Sequence, residues 1–224
     1  PMIYVTGDTH GDETRFKQFK KLFPKRRDHL LVCGDFGFVW DGSEKEKKRL
    51  ARLEHLDCMI LFIEGVHDNL DLLAACPEEE YCGGRVRRVG KNILWMQRGE
   101  LFTIDGMKIF ALGGGESEDA DEREPGVNWW PQELPSVEEL TAARAVLERA
   151  GDEVDFIITH QPPDLELGLV DPRHQRINAL GAFLRVTAET VRYRHWYFGS
   201  GHIDRTVSPK MTAVFEKVIP CGEK

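Results

Sequence analysis

Aspartate and histidine residues recur in this chain just after short apolar runs. The runs cover residues 3–5, 29–32, 59–63, 155–158 and 195–198. The residues that follow them are Asp8, His10, Asp35, His67, Asp68, His160 and His202. If the runs are neighbouring strands of a parallel sheet, their carboxyl ends share one edge, where open α/β sheets bind ligands. Carboxylates mixed with imidazoles at that edge predict a divalent metal, and they favour Mn, Fe, Zn or Co over Mg or Ca.

Taken singly, each of these motifs is weak evidence for a metal. Asp and His also occur in ordinary turns, and Asp35 alone is equally typical of a turn or a helix cap. Gly7 and Gly11 flank Asp8 and His10 and allow the backbone to bend tightly as it leaves the sheet. The prediction of a metal site therefore depends on the repetition of the pattern at several strand ends.

The residues between the runs predict the elements that position these side chains. Strands and helices alternate through the first third of the chain. Short strands with turn signals between residues 86 and 112 predict antiparallel pairs in a second sheet. Ser136 and Glu139 form a capping box for a helix, and residues 213–219 predict a final edge strand.

Composition favours one soluble enzyme domain over residues 1–224. The formal net charge of −8 disfavours sequence-independent binding of nucleic acid. No apolar run is long enough to span a bilayer and no secretory signal is visible, so we expect no membrane association and a cytoplasmic location. The five cysteines are an odd number without a secretory signal, which argues against a disulfide framework.

Five short motifs, in their order and spacing, resemble those of the calcineurin-like metallophosphoesterases. They are Gly-Asp-Thr-His at 7–10, Gly-Asp at 34–35, Gly-Val-His-Asp at 65–68, Thr-His-Gln-Pro-Pro at 159–163 and Gly-Ser-Gly-His at 199–202. The acidic segment with two tryptophans at 113–135 is similar to an insert of a bacterial branch of that family. The resemblance implies a four-layer α-β-β-α sandwich with two mixed sheets. It also implies two metal ions at the sheet edge that activate water against a phosphoester of a small molecule or a phosphoprotein.

The resemblance also implies a role for each motif residue. One metal would bind to Asp8, His10 and His202, with Asp35 bridging to a second metal that also takes His160. His67 would lie near the substrate, where it stabilises charge or protonates the leaving oxygen. Asp68 would orient His67.

Two positions depart from the family pattern, and both departures remove ligands from the second metal. Val66 stands where the family has a metal-binding asparagine, and Ser200 where it has a histidine. In an alternative register Asp204 would replace the last histidine of the fifth motif. We therefore predict one tight metal site and a second that is weak or absent, unless Asn69, Asp204 or an acidic residue of 116–122 completes it.

The insert at residues 113–135 allows two interpretations. Arg123 and Asn128 would bind substrate if the insert overhangs the metals, since an arginine suits a phosphate. Alternatively the insert is a surface loop packed by Trp129 and Trp130.

Three functions remain open from the sequence. The first is a metal-dependent phosphoesterase, and the second is a degenerate family member that binds metal or a phosphorylated ligand with little turnover. The third is an interaction protein that uses the tryptophan insert, which requires an exposed apolar patch. Metal content and hydrolysis of an aryl phosphate would separate the three.

Overall fold

Two mixed sheets contain the strands of the part of the chain that the structure describes. The computed structural model describes residues 1–22, 24–164 and 177–222. The strands in these residues are β1 (Ile3–Thr6), β2 (His29–Cys33), β3 (Met59–Ile63), β4 (Glu78–Tyr81), β5 (Gly84–Gly90), β6 (Ile93–Met96), β7 (Glu100–Ile104), β8 (Met107–Leu112), β9 (Phe156–Thr159), β10 (His195–Phe198), β11 (Arg205–Ser208), β12 (Met211–Ala213) and β13 (Ile219–Pro220). The helices are α1 (Phe16–Lys21), α2 (Glu44–Leu53), α3 (Leu70–Ala74), α4 (Val137–Arg149) and α5 (Ala179–Thr190).

The sheet topology brings the ends of the central strands together. The first sheet has the order β13-β1-β2-β3-β6-β5-β4, and the second has the order β11-β12-β10-β9-β8-β7. Strands β1, β2, β3 and β6 are parallel neighbours, as are β8, β9, β10 and β12. The central strands are continuous apolar runs because both of their faces are buried.

The core is divided into three layers of apolar contacts. The inner faces of the two sheets pack together through residues such as Leu31, Ile63 and Ile158. Helices α1, α2 and α3 cover the outer face of the first sheet, and α4 and α5 cover the outer face of the second. The predicted four-layer α-β-β-α sandwich with two mixed sheets is therefore confirmed.

The expected helix start at Ser136 is present. The Ser136 side chain accepts from the Glu139 backbone N–H, and the Glu139 side chain accepts from the Ser136 N–H, so α4 has both halves of its capping box. Among the described residues, no helix combines the length and apolar character needed to cross a membrane.

Two expectations about the strands are wrong. Only β7 and β8 of the 86–112 region join the second sheet, whereas β5 and β6 extend the first, because the fully buried β6 pairs in parallel with β3. Residues 213–219 do not form one strand, because β12 ends at Ala213 in one sheet and β13 begins at Ile219 in the other. The chain crosses between the sheets at Val214, which is buried in the inner layer.

Candidate metal centre

Four side chains from three strand ends converge at one edge of the sandwich. Asp8 and His10 follow β1, Asp35 follows β2 and His202 follows β10. Their ligand atoms all lie within 4.8 Å of one another. His202 Nε2 is 2.8 Å from Asp8 Oδ2, and His10 Nε2 is 3.7 Å from the same oxygen and 3.8 Å from Asp35 Oδ2. The cluster contains the residues that the sequence assigned to the first metal.

The backbone of this cluster adopts a costly conformation. His10, Asp35 and His202 have φ angles of 49°, 44° and 49°, in the left-handed region that residues other than glycine rarely adopt. They are three of the six non-glycine residues with positive φ in the described part of the chain. Such strain persists where the surrounding structure enforces it, and it concentrates at functional sites.

Two motif glycines allow the strand ends to approach each other closely. A Cβ atom on Gly34, whose φ is +98°, would collide with the His160 ring. A Cβ atom on Gly65 would collide with the Asp35 carboxylate. The loops after β2 and β3 therefore need glycine at these positions to bring Asp35 and His160 into one site.

The electrostatics of the site fit a bound cation. Asp8 is 0% exposed, and neither of its carboxylate oxygens receives a well-formed hydrogen bond. Burial disfavours the charged form of Asp8, but the charge of His160 and the close approach of the His10 and His202 imidazoles lower its pKa far below the usual value. Burial likewise lowers the pKa of His160, but Asp35 and Asp8 together raise it to about 10. Two buried carboxylates facing several imidazoles form the kind of mixed donor set that suits a divalent transition metal.

The side of the second predicted metal has fewer ligands. His160 is buried, with Nε2 3.9 Å from Asp35 Oδ1 and Nδ1 3.5 Å from Asp8 Oδ1. The Val66 backbone N–H donates to Asp35 Oδ1 at 2.6 Å. The Val66 side chain has no atom that could bind a metal. The Ser200 hydroxyl is buried without a hydrogen-bond partner.

The residues considered as replacement ligands have other partners. Asp204 accepts hydrogen bonds from the backbone N–H groups of Phe215, Glu216 and Lys217 at 2.8–3.2 Å. The Asn69 side chain accepts from the Leu72 N–H and so caps the start of α3. It also donates to the Trp40 carbonyl. In this structure His202, and not Asp204, lies in the cluster with Asp8, His10 and Asp35.

His67 occupies a position between the carboxylates and the insert. Its Nδ1 lies 3.0 Å from Asp35 Oδ2, and its Nε2 lies 2.7 Å from Arg123 Nη2. Because a carboxylate accepts from Nδ1 and a guanidinium donates to Nε2, we assign the proton to Nδ1.

The role expected of Asp68 requires correction. Its oxygens accept from the backbone N–H groups of Gly37 and Gly65, at 2.8 and 3.0 Å, so it connects the loops after β2 and β3. It is Asp35 that contacts the His67 ring. Burial, together with the charge of Asp35, raises the pKa of Asp68 to about 7.

Comparison with known protein families agrees with this site. The model of the calcineurin-like phosphoesterases matches residues 1–215. The chain belongs to the calcineurin-like phosphoesterase family. A comparison with curated proteins found no significant match. Metal-dependent hydrolysis of phosphoesters is the general activity of the family, and the Asp8 cluster is compatible with it.

The insert brings Arg123, one of its two residues predicted to bind substrate, to the candidate site. Arg123 contacts His67 and, at 3.4 Å, the Val66 carbonyl oxygen. Asn128 instead stabilises the insert itself, because its Oδ1 accepts from the Glu124 N–H at 2.6 Å and its carbonyl lies 3.4 Å from Arg123 Nη1. Trp130 is buried and donates to Asp71, so it anchors the insert.

Sequence reasoning missed two residues that support the candidate site. The Phe215 ring stacks on His202 with a centroid distance of 4.9 Å and an interplanar angle of 13°. Arg15 lies over the Phe215 ring and donates to the Asp8 carbonyl at 2.9 Å. No motif marks Phe215, but Arg15 lies only seven positions after Asp8, at the start of the first helix.

Proposed function

We propose that this chain is a metal-dependent phosphoesterase with one tight metal site and a weak second one. The observation that supports it most strongly is the cluster of Asp8, His10, Asp35 and His202, whose ligand atoms lie within 4.8 Å of one another. The tight site consists of these four residues, and the weaker one of Asp35 and His160. The metal is Mn, Fe, Zn or Co, because the donor set mixes carboxylates with imidazoles.

The residues of the chain have distinct tasks in this proposal. A divalent ion at the cluster supplies Lewis-acid activation of water and of the phosphoryl group. Asp35 holds the His67 ring through Nδ1, which leaves Nε2 facing the insert and the substrate side. In this orientation Nε2 carries no proton, so His67 would take up a second proton at Nε2 and then give it to the leaving oxygen.

The net charge of −8 supports a proposal about the class of substrate. We propose a phosphorylated small molecule or a phosphoprotein in the cytoplasm. The insert has exposed acidic side chains on both sides of Arg123 in the sequence, at Glu118, Asp119, Asp121, Glu122 and Glu124, which we call the acidic rim. Such a rim repels the phosphate backbone of nucleic acid.

A second candidate function is supported by the departures at Val66 and Ser200. A phosphoesterase that lacks the second metal would bind metal or a phosphorylated ligand with little turnover, because the clamp formed by two metals is incomplete. The interaction hypothesis has less support, since Trp130 is 3% exposed and is unavailable to a partner.

Metal analysis and an aryl phosphate assay test the proposed function. We expect one tightly bound metal per chain and metal-dependent hydrolysis of 4-nitrophenyl phosphate or its bis-ester. Asp8→Ala and Asp35→Ala should lose both the metal and the activity. His67→Ala should retain the metal but lose about 10²-fold or more in turnover, as is usual for a proton-transfer residue.

Several results would contradict the proposal. Two fully occupied sites with protein ligands would contradict the asymmetry of the metals. An empty site in His67→Ala would contradict the role of His67. A wild-type protein that binds metal and phosphate but hydrolyses neither ester would favour the second candidate.

A further inference from the structure

The insert brings the guanidinium of Arg123 close to Val66, the position where this chain lacks a side-chain ligand for the family's second metal. Arg123 Nη2 lies 2.7 Å from His67 Nε2, and Nη1 lies 3.4 Å from the Val66 carbonyl oxygen. We propose that Arg123 binds the phosphoryl group of the substrate and supplies positive charge that a fully bound second metal would otherwise provide. This inference rests on the proposed phosphoesterase function.

The position of the guanidinium supports this role. The His67 ring lies between Arg123 and Asp35 and contacts both, so one imidazole ring separates the guanidinium from the carboxylate. Val66 is the position at which the side-chain ligand of the second metal is missing. A phosphate oriented by the first metal site would therefore find a permanent cation on the side where the second metal is weak.

Apart from the 2.7 Å contact with His67 Nε2, the partners of Arg123 hold it weakly and leave the guanidinium able to bind an anion. Its ion pair with Asp119, at 3.0 Å, has a partner side chain that is 49% exposed, and such pairs contribute little free energy. The contacts to the Val66 and Asn128 carbonyls, both at 3.4 Å, are longer than strong hydrogen bonds. A phosphate would give the guanidinium shorter, charge-assisted and bidentate hydrogen bonds.

The insert holds Arg123 in place before substrate binds. Trp130 Nε1 donates to Asp71 at 2.9 Å and the Trp130 ring packs edge-on against Trp40. The Ser117 N–H and hydroxyl both donate to Glu133, at 2.6 and 2.7 Å. The side chain of Arg123 is only 12% exposed, so little further ordering is needed when a phosphate binds.

Binding of inorganic phosphate to the Mn-loaded protein tests the role of Arg123. We expect Arg123→Ala to weaken phosphate binding about 10- to 100-fold, with unchanged metal content and thermal stability. Arg123→Lys should retain part of the affinity, because it keeps the charge but loses the bidentate geometry. Added guanidinium ion at millimolar concentration should restore phosphate binding and turnover in Arg123→Ala and have no such effect on the wild type.

Asp119→Asn is the matched control, because it removes the ion-pair partner and leaves the guanidinium in place. It should bind phosphate at least as tightly as the wild type. Wild-type phosphate affinity in a folded Arg123→Ala protein would overturn the proposal, as would equal losses in Asp119→Asn and Arg123→Ala. If phosphate binding depends on Arg123 but the wild type hydrolyses no ester, the proposed hydrolysis fails while the role of Arg123 in phosphate binding stands.

Discussion

Asp35 joins the two halves of the candidate metal centre. One carboxylate oxygen faces His10 and His67, and the other accepts the backbone N–H groups of Val66 and His67 at 2.6 and 2.8 Å. Burial opposes the charge of Asp35, but the neighbouring imidazoles, His160 foremost, lower its pKa below the usual value. The carboxylate is therefore charged and fixed in orientation, as a bridging ligand requires.

Restoring the missing ligands tests the asymmetry of the two metals. We expect Val66→Asn combined with Ser200→His to raise the second site from two protein ligands to four. Second-metal affinity should increase, and turnover of 4-nitrophenyl phosphate should rise by about 10²-fold if the clamp contributes about 3 kcal/mol in the transition state. Elemental analysis and steady-state kinetics provide the two measurements. A folded double variant without a gain in either quantity would show that other groups already complete the site.

The insert 113–135 is the element that distinguishes this site from one formed by strand ends alone. Its backbone packs beside β3, because the Gly114 N–H donates to the Glu64 carbonyl at 2.9 Å. The buried Glu64 carboxylate accepts from Arg98 at 2.6 Å, and Arg98 donates to the Gln132 and Glu133 carbonyls at the end of the insert. The insert is therefore connected to the first sheet through hydrogen bonds at its start and its end.

Removing the anchor of the insert should reduce both stability and substrate binding. We expect Trp130→Ala to lower the free energy of unfolding by about 3–5 kcal/mol, because it empties a buried aromatic site. The KM for an aryl phosphate should rise as Arg123 loses its fixed position. The matched control is Val127→Ala in the same insert, where the side chain is 55% exposed and stability should change by less than about 0.5 kcal/mol. If urea unfolding showed the same decrease in the free energy of unfolding for both variants, the description of Trp130 as the anchor of the insert would be contradicted.

At the scale of the whole molecule, each sheet carries one histidine at the start of a strand, away from the metal edge, and His29 is buried while His195 is half-buried. His29 begins β2 with Nε2 2.6 Å from the Tyr81 hydroxyl, and His195 begins β10 with Nε2 2.7 Å from the Thr212 hydroxyl. Burial lowers the pKa of both histidines below the ordinary value of 6.5. Both histidines therefore favour the neutral ring in the folded protein.

The pH dependence of stability follows from these two histidines. In the unfolded chain, His29 and His195 bind protons near pH 6.5. In the folded protein they bind protons only at lower pH. The contribution of the two neutral rings to the free energy of unfolding is therefore complete above pH 6.5. It should be lost progressively as the pH falls through the folded pKa values. Urea unfolding between pH 7.5 and 5 should show a flatter dependence in His29→Gln and His195→Gln than in the wild type. Exposed His55→Gln is the control for loss of an imidazole. Equal slopes in the wild type, His29→Gln and His195→Gln would refute the assignment.

The sequence predicted most of the strand ends, and its resemblance to the calcineurin-like metallophosphoesterases implied the four-layer sandwich and the residues of the candidate metal cluster. Each motif follows a continuous apolar run, and parallel strands carry such motifs to one edge whatever the details of the connections. Asp8, His10 and Asp35 were predictable for that reason, and Val66 and Ser200 were visible as departures. Each motif is recognisable because its residues are close together in the chain.

Only the tertiary structure decided which sheet β5 and β6 join, that Asp68 connects backbone loops, and that Phe215 stacks on His202. It also placed Arg123, rather than Asn128, against His67. These features depend on contacts between residues far apart in the sequence, such as the 56 positions that separate Arg123 from His67. No local pattern encodes such pairs, because their geometry depends on how the irregular insert packs against a sheet that is already formed.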